Sequence, residues 1–278
     1  NTPDGQINVE WLSGGVNMIP SSVWYYNAVP GPWTKNTIRN IPAGTDDTIK
    51  FSLAFLSPAH VALDDVRIVE SSPPVPANIA EAKTAELGTL LTCTGVISAV
   101  WTDSLYVEST DRTSGIGVAR TAHGFTLADV GKVVEVTGSV VLGSNGERYI
   151  GFATIVDTLQ TSAIAPEGMT NKSLGGGNYG DPGSGLGQVG VELGVGLNNI
   201  GLLVRTTGKV TKVDDTTFTL DDGSGVSVTV THPADPVIPS TNDYVTVTGI
   251  SSCVKDAGGL VQRRILVDEN TDIVKITP

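Results

Sequence analysis

The stretch that decides the fold is GKVVEVTG at residues 131–138, because the chain repeats it as NDYVTVTG at residues 242–249. A second shared stretch precedes each copy, with TGVI at residues 94–97 and TGKV at residues 207–210. In these stretches apolar and polar residues alternate, which is typical of a β-strand with one buried face. We therefore interpret the chain as containing an internal duplication of one small β unit.

The two copies also share the sequence between these stretches. SLYVESTD at residues 104–111 corresponds to TFTLDD at 217–222, and GIGV at 115–118 corresponds to GVSV at 225–228. Each copy resembles an OB-fold, a small Greek-key barrel of five strands in which the first strand bends at a glycine and a hairpin follows. TLAD at residues 126–129 predicts a short helical turn where this fold places its helix. The resemblance implies two OB-like barrels in tandem.

Many OB-folds bind oligonucleotides or oligosaccharides on the face of their second and third strands. The resemblance places Trp101 and Tyr106 near that face in the first copy and Phe218 in the second. A stacking surface for nucleic acid also needs a basic groove, and neither copy has one. We therefore interpret these aromatic residues as barrel core.

The composition favours an all-β protein with an acidic surface. Charged residues make up only 17% of the 278 residues and Gly occurs 33 times, as expected for short strands joined by tight turns. The formal net charge of −12 would repel a phosphate backbone, so we expect no nucleic-acid partner. No apolar run is long enough to span a membrane, and we expect any signal peptide to have been removed or to lie outside this sequence. The predicted location is extracellular, at the cell surface.

Two boundaries divide the chain. The first is SSPPVP at residues 71–76, where three prolines favour an extended linker. The second is the glycine-rich stretch within residues 166–196, which we interpret as a long loop. The predicted fold is all-β, with an incomplete jelly-roll or β-sandwich unit followed by two OB-like barrels. Its parts are residues 1–70 for the first unit, 71–78 for the linker, 79–165 for the first barrel, 166–196 for the Gly-rich loop and 197–278 for the second barrel.

The first unit carries a different resemblance. IPAGT at residues 41–45, TIKFSLAF at 48–55 and VALDDVRIVE at 61–70 look like the closing half of a jelly-roll carbohydrate-binding module. In that family the acidic pair often helps to hold a structural Ca²⁺, so the resemblance implies Asp64 and Asp65 as ligands, with an exposed strand end as the alternative. A complete jelly roll has about eight strands, more than this unit can hold. Either the unit continues upstream, or a neighbouring subunit donates the missing strand.

An aromatic cluster in the first unit is a candidate binding site. It consists of Trp24, Tyr25, Tyr26 and Trp33. Such rings stack on sugars in many modules, but they also fill cores and seal subunit interfaces. We favour the core or interface interpretation.

The remaining candidates concern covalent chemistry. Cys93 and Cys253 either form a disulfide between the two copies or are two separate small buried residues. Asn171, in the sequence Asn-Lys-Ser, is a candidate glycosylation site. The three histidines lie in different modules and belong to no metal-binding or nucleophile motif. We therefore expect no enzymatic activity, and no cofactor other than the candidate calcium ion.

Two functional hypotheses follow. The first is a non-catalytic extracellular structural protein that self-associates into a pilus-like surface filament by strand complementation, because the first unit is short of strands. The second is a carbohydrate-binding accessory region of a larger secreted polysaccharide-degrading enzyme, with a polysaccharide as its partner. A nuclease accessory role is disfavoured by the negative charge.

Overall fold

The computed structural model describes residues 5–13, 16–17, 22–26, 47–55, 74–212, 214, 216–233, 239–268 and 272–276. Its contacts divide the chain into two compact units, Asn1–Pro73 and Pro74–Pro278. Strands predominate, and the described residues include one short α-helix. The all-β prediction is confirmed.

The described part of the first unit is a four-stranded antiparallel sheet. Its strands are β1 (Gly5–Ser13), β2 (Val16–Asn17), β3 (Ser22–Tyr26) and β4 (Asp47–Phe55). β1 pairs with β4 along its whole length, with β3 over its first half and with β2 at its end. Val9 is buried, and an ion pair of 2.8 Å joins Glu10 on β1 to Lys50 on β4. The stretch TIKFSLAF at residues 48–55, in which apolar and polar residues alternate, lies within β4.

The second unit begins with a closed barrel of five strands. Its strands are β6 (Leu90–Val100), β7 (Ser104–Glu108), β8 (Gly115–Ala119), β9 (Lys132–Leu142) and β10 (Arg148–Thr161), preceded by a short β5 (Val75–Pro76) within the predicted linker. They pair in the order β6-β7-β8-β10-β9, and β9 pairs back with β6. Only the β8–β10 pair of this ring is parallel. Leu105, Val107 and Ile116 are among the residues that fill its core.

Two short helical segments lie beside this barrel. The helix α1 (Ile79–Thr84) begins with a capping box in which Asn78 and Glu81 each accept a hydrogen bond from the other's backbone N–H, at 2.8 Å. The helix ends at Thr84, and the next residue, Ala85, is extended. The helical turn predicted before β9 is a 3₁₀ turn at Leu127–Asp129.

The Gly-rich segment is a packed connection rather than the open loop that the sequence predicts. It contains β11 (Glu167–Gly168), β12 (Tyr179–Asp181) and β13 (Leu186–Gln188), with 3₁₀ turns at Asn171–Ser173 and Pro182–Ser184. β12 and β13 form a two-stranded antiparallel sheet. At Gly176, where φ is +66°, a Cβ would lie 2.1 Å from the carbonyl oxygen of Leu197. Glycine therefore lets two backbone segments meet here.

The second barrel repeats the strand order of the first. Its strands are β14 (Leu203–Lys212), β15 (Thr217–Asp221), β16 (Ser227–Thr231), β17 (Tyr244–Lys255) and β18 (Val261–Leu266), followed by β19 (Ile273–Lys275). They pair in the order β14-β15-β16-β18-β17, and β17 pairs back with β14. The β16–β18 pair is parallel, as is its counterpart in the first barrel. β11 extends the sheet beside β14, and β19 extends it beside β17. The two OB-like barrels are confirmed.

The strand registers align the two barrels residue by residue. Glu108 pairs with Gly115 in the first barrel, and Asp221 pairs with Ser227 in the second. Gly115 therefore corresponds to Ser227, and not to Gly225 as the sequence comparison suggests. Gly225 lies in the hairpin loop at a φ of +89°, so matching the glycines shifts the alignment by two residues.

Candidate ligand surface and the contact between the barrels

The outward surface of β7 and β8 is covered in the first barrel. Alternate residues of a barrel strand point to the core and to the outside, so outward residues are expected to contact solvent. Here the four central ones are buried, and the second barrel packs against Tyr106, Glu108 and Gly115. These outward residues are Tyr106, Glu108, Gly115 and Gly117.

Tyr106 lies in the apolar part of this contact. Its ring meets Trp101 edge-on, with the ring centroids 5.7 Å apart. Tyr106 therefore packs between the barrels and not inside a barrel core. Phe218 lies in the core of the second barrel, as predicted. The cluster around Tyr106 draws on both barrels and contains Ala99, Trp101, Leu203, Ile250 and Leu266.

Gly115 allows the backbones of the two barrels to touch. A Cβ at this position would lie 2.2 Å from the carbonyl oxygen of Gly201, in the segment that leads into β14. No side chain fits in that space without moving one barrel away from the other.

Glu108 supplies a polar part of the contact. Its buried carboxylate accepts hydrogen bonds from the backbone N–H of Leu203 and, at 3.5 Å, from Nε of Arg112. Arg112 also donates to the carbonyl oxygen of Leu203 at 3.3 Å and forms an ion pair of 3.1 Å with Glu167. Burial raises the pKa of Glu108 to about 6, although these donors act in the opposite direction. The contact therefore contains a carboxyl group that titrates below neutral pH.

A second buried carboxyl group, Glu147, lies at the same contact. Its Oε2 accepts a hydrogen bond from the Ser252 hydroxyl at 2.6 Å, and its carboxyl group also hydrogen-bonds the side chain of Tyr106. Burial raises the pKa of Glu147, although Ser252, Tyr106 and the charges of Arg264 and Lys83 act in the opposite direction. Folding therefore makes the protonated form of Glu147 more favourable than it is in the unfolded chain.

The corresponding surface of the second barrel is open. On β15 and β16 the apolar side chains, such as Phe218 and Leu220, are buried inside the barrel, whereas the alternate side chains are exposed or half-buried. Lys209 and Thr211 on β14 lie in register beside this surface. We name its outward residues the threonine face: Thr217, Thr219, Asp221, Ser227, Thr229 and Thr231.

The threonine face offers hydroxyl groups rather than rings. Asp221 is its one charged member, and Lys209 lies directly across from it. Hydroxyls both donate and accept hydrogen bonds, so the face can hold a polar chain. The alternation of polar and apolar residues in TFTLD and SVTVT marks these outward residues in the sequence. The prediction of a ligand surface was based only on aromatic residues and therefore missed them. Among the described residues, no group of three or more His, Cys, Asp or Glu side chains could hold a metal ion.

The two cysteines are free thiols in separate places. Cys93 belongs to the core of the first barrel, and Cys253 belongs to a small cluster with Val191, Ile200 and Val261. Burial raises the pKa of both thiols to about 12. The structure therefore contains no disulfide between them and fits the alternative, two separate buried residues.

Asn171 is a structural residue and not a glycosylation site. Its side chain is fully buried, and its Nδ2, the atom that a glycan would modify, donates to the carbonyl oxygens of Leu220 at 2.8 Å and Val226 at 3.4 Å. Its Oδ1 accepts from the Thr206 hydroxyl at 3.1 Å. A glycan would require these bonds to break, so the prediction at this position is corrected.

Other candidates lie outside the described residues. Trp33, Asp64 and Asp65 are among them, so a calcium ion bound by the acidic pair stays a prediction. Trp24, Tyr25 and Tyr26 are on β3, whose backbone pairs with β1, but their side chains are outside the described part of the chain. In the described ranges no helix is long and apolar enough to cross a membrane.

Comparison with known proteins finds distant likenesses only. No protein-family model and no curated protein matches the chain. Among solved structures, a murine DNA-binding protein with double-stranded DNA matches with a TM-score of 0.33 and 13% identity, over 67% of this chain and 97% of that one. A structure described as "Structural mimicry for functional antagonism" has a TM-score of 0.33 and 13% identity, over 69% and 94%. Fission yeast Pot1 with single-stranded DNA has a TM-score of 0.30 and 10% identity, over 72% and 87%.

These comparisons correct two predictions. The two structures whose descriptions name a ligand contain DNA, and none of the three is described as a fibre subunit or a carbohydrate-binding module. The predicted pilus-like filament and its carbohydrate-binding alternative are therefore wrong, and so is the exclusion of nucleic acid as a partner. The exclusion relied on net charge, which does not describe any one surface. At these TM-scores the likeness carries no argument about the ligand of this chain.

Proposed function

We propose that this chain is a non-catalytic binding protein that holds a single-stranded nucleic acid on the threonine face of its second barrel. The observation that carries the proposal is the open surface of β15 and β16, since the second and third strands are where OB-folds receive oligonucleotides. The same strands of the first barrel are covered. Of the two barrels that the structure describes, the second therefore offers the open surface.

The chemistry of the threonine face suits contacts to the sugar–phosphate chain. Ser and Thr hydroxyls donate hydrogen bonds to phosphate and sugar oxygens, and Lys209 adds one positive charge at the edge. Without aromatic side chains the face cannot stack on bases, so we expect little preference for base sequence. With a net charge of −12 on the chain, we expect weak binding, with a dissociation constant of about 100 μM.

The test is fluorescence anisotropy of a labelled single strand of about 12 nucleotides, a length in the range of OB-fold sites, titrated with the full chain. Because one lysine contacts the strand, the slope of log affinity against log salt should be shallow, about −0.7. Thr219→Glu places a negative charge on the threonine face and should weaken binding about tenfold or more. A double-stranded form of the same sequence should bind less well.

The matched control is Thr207→Glu, an exposed threonine of β14 that bonds to Thr246 on β17, away from the threonine face. It adds the same charge to the same barrel and should change binding less. Absence of binding at low salt would overturn the proposal. A steep salt slope, or equal effects of the two variants, would show that the strand binds elsewhere.

A further inference from the structure

Lys83 is a buried lysine without a carboxylate in contact. It lies on α1 and is 2% exposed. Its Nζ donates to Oδ1 of Asn198 at 3.1 Å and to the carbonyl oxygen of Ile200 at 2.6 Å, and it lies 5.8 Å from the ring centroid of Tyr179. These partners are neutral. A buried ammonium usually needs a counter-charge, so this environment makes the charged form of Lys83 less favourable than it is in water.

The pKa of Lys83 agrees with this environment. Burial lowers it to about 8, although the charge of Glu147 acts in the opposite direction. A lysine with a lowered pKa has a neutral fraction near neutral pH, and the neutral amine is a nucleophile.

Asn198 holds its amide carbon close to this amine. Its side chain is buried and fixed at both ends, since Oδ1 accepts from Lys83 while Nδ2 donates to the carbonyl oxygen of Gly177 at 2.9 Å. A nucleophile fixed beside a carbonyl group reacts far faster than the same groups in free solution. The amine already contacts the oxygen of the amide group that it would attack.

We propose that Lys83 and Asn198 form an intramolecular isopeptide bond. Nζ of Lys83 bonds to Cγ of Asn198, and the bond between Cγ and Nδ2 of Asn198 breaks. One proton passes from the attacking amine to the leaving nitrogen, which departs as ammonia. Atoms and electrons balance, and no oxidant, metal or cofactor takes part.

Glu147 is the carboxyl group whose charge acts on Lys83, and we assign it to proton transfer in this step. It is buried, its carboxyl group hydrogen-bonds the side chains of Ser252 and Tyr106, and its charge acts on Lys83. A carboxyl group whose pKa is raised by burial can take a proton from the amine and give one to the departing nitrogen. Its role is therefore to assist proton transfer, while Lys83 and Asn198 are the reacting residues.

The isopeptide bond would join the two barrels covalently. Lys83 lies in the helix that precedes the first barrel, and Asn198 lies in the segment that leads into the second. The loop that the bond closes contains the whole first barrel, and closing a long loop restricts the unfolded chain. The function of the bond is to hold the threonine face on a fixed support, and it does not depend on what that face binds.

The intact mass of the full chain tests the proposal. The expected mass is lower than the sequence mass by one ammonia molecule, and a protease digest should yield one peptide that joins the segments around residues 83 and 198. An unchanged mass would overturn the proposal. So would the same loss located at Asn145-Gly146, a sequence whose asparagine can lose ammonia by cyclising on its own backbone.

Five variants separate these outcomes. Lys83→Arg and Asn198→Ala should each restore the full mass, whereas Asn145→Ala should leave the loss in place. Glu147→Gln should slow or abolish the bond while the chain stays folded, and Glu147→Asp should restore part of the yield. Since the first measurement is made on the natural sequence, it tests the bond even where a variant fails to fold.

Discussion

The first and second barrels share one strand order, but the outward face of the β7–β8 hairpin is buried whereas that of the equivalent β15–β16 hairpin is open. Tyr106 in the first corresponds to Thr219 in the second, and Glu108 corresponds to Asp221. The first member of each pair is buried between the barrels, and the second is exposed or half-buried. The outward residues of β7 and β8 include two glycines and a tyrosine, whereas those of β15 and β16 are almost all hydroxyl residues.

This difference shows how one fold acquires two roles. The inward residues close each barrel and are apolar in both copies, so they maintain the fold. The outward residues are free to differ. Small and aromatic outward residues let the first barrel dock on the second, whereas short polar ones leave a surface that prefers water or a polar ligand.

The largest expected effect is the loss of the tyrosine between the barrels. Tyr106→Ala should lower the free energy of unfolding by about 3–5 kcal/mol, as removal of a large buried aromatic side chain does. The corresponding Thr219→Ala should change it by less than about 0.5 kcal/mol, as surface substitutions do. Denaturant unfolding of both variants measures the difference. Equal effects would mean that the two surfaces are not used differently.

The next effect concerns the close approach at Gly115. Gly115→Ala should lower the free energy of unfolding by about 1–3 kcal/mol, because the new methyl group must displace the Gly201 backbone. Gly168→Ala is the matched control, since a Cβ there meets nothing within 4 Å. Thermal denaturation of the two variants compares them. A stable Gly115→Ala protein would show that the barrels can separate without cost.

A smaller effect is the pH dependence due to Glu108. Its folded pKa, about 6, lies above the ordinary value of 4.5, so its protonated form stabilises the fold below that ordinary value. This contribution, about 2 kcal/mol, is lost as the pH rises through 6. Glu108→Gln should remove that part of the decline in unfolding free energy between pH 4.5 and pH 7. Aspartates whose pKa values are lowered change the unfolding free energy only at lower pH. If the unfolding free energy of Glu108→Gln falls between pH 4.5 and pH 7 as steeply as that of the natural protein, the assignment to Glu108 is wrong.

The smallest effect concerns surface ion pairs at equivalent positions of the two barrels. The first barrel has a lysine at this position, and the second has an aspartate. Lys132 at the start of β9 contacts Asp129 at 2.8 Å and Asp157 at 3.0 Å, whereas Asp243, before β17, contacts Lys275 at 2.8 Å. Lys132→Ala should lower the melting temperature less than any change above, because exposed ion pairs contribute little. Added salt should reduce the difference from the natural protein. A large, salt-insensitive loss would indicate a packing role instead.

Much of the fold could be predicted because its signals are local. The duplication and the alternation over residues 48–55 and 217–222 predict strands, and the strand order of the barrels followed from the OB-like resemblance. The capping residues Asn78 and Glu81 likewise mark the start of α1 in the sequence. The Gly-rich segment was harder to predict, since its packing depends on which backbone each glycine meets.

The sites could be predicted less well. Asn171 carries a glycosylation sequence, but its side chain is used inside the second barrel, and the two cysteines belong to different clusters. Nothing in the sequence places Lys83 beside Asn198, because the whole first barrel lies between them. The predicted function failed for a related reason, since it was inferred from net charge and from an apparent shortage of strands.

By itself the sequence determined that this protein is all-β and contains the same small barrel twice, because strand alternation and glycine bends are properties of neighbouring residues. Only the tertiary structure decided which barrel surface is covered and which is open. It also decided which buried groups meet at the contact, where Glu108, Glu147 and Lys83 acquire shifted pKa values. Burial and contact between distant segments depend on how the barrels pack, and no local pattern encodes that packing.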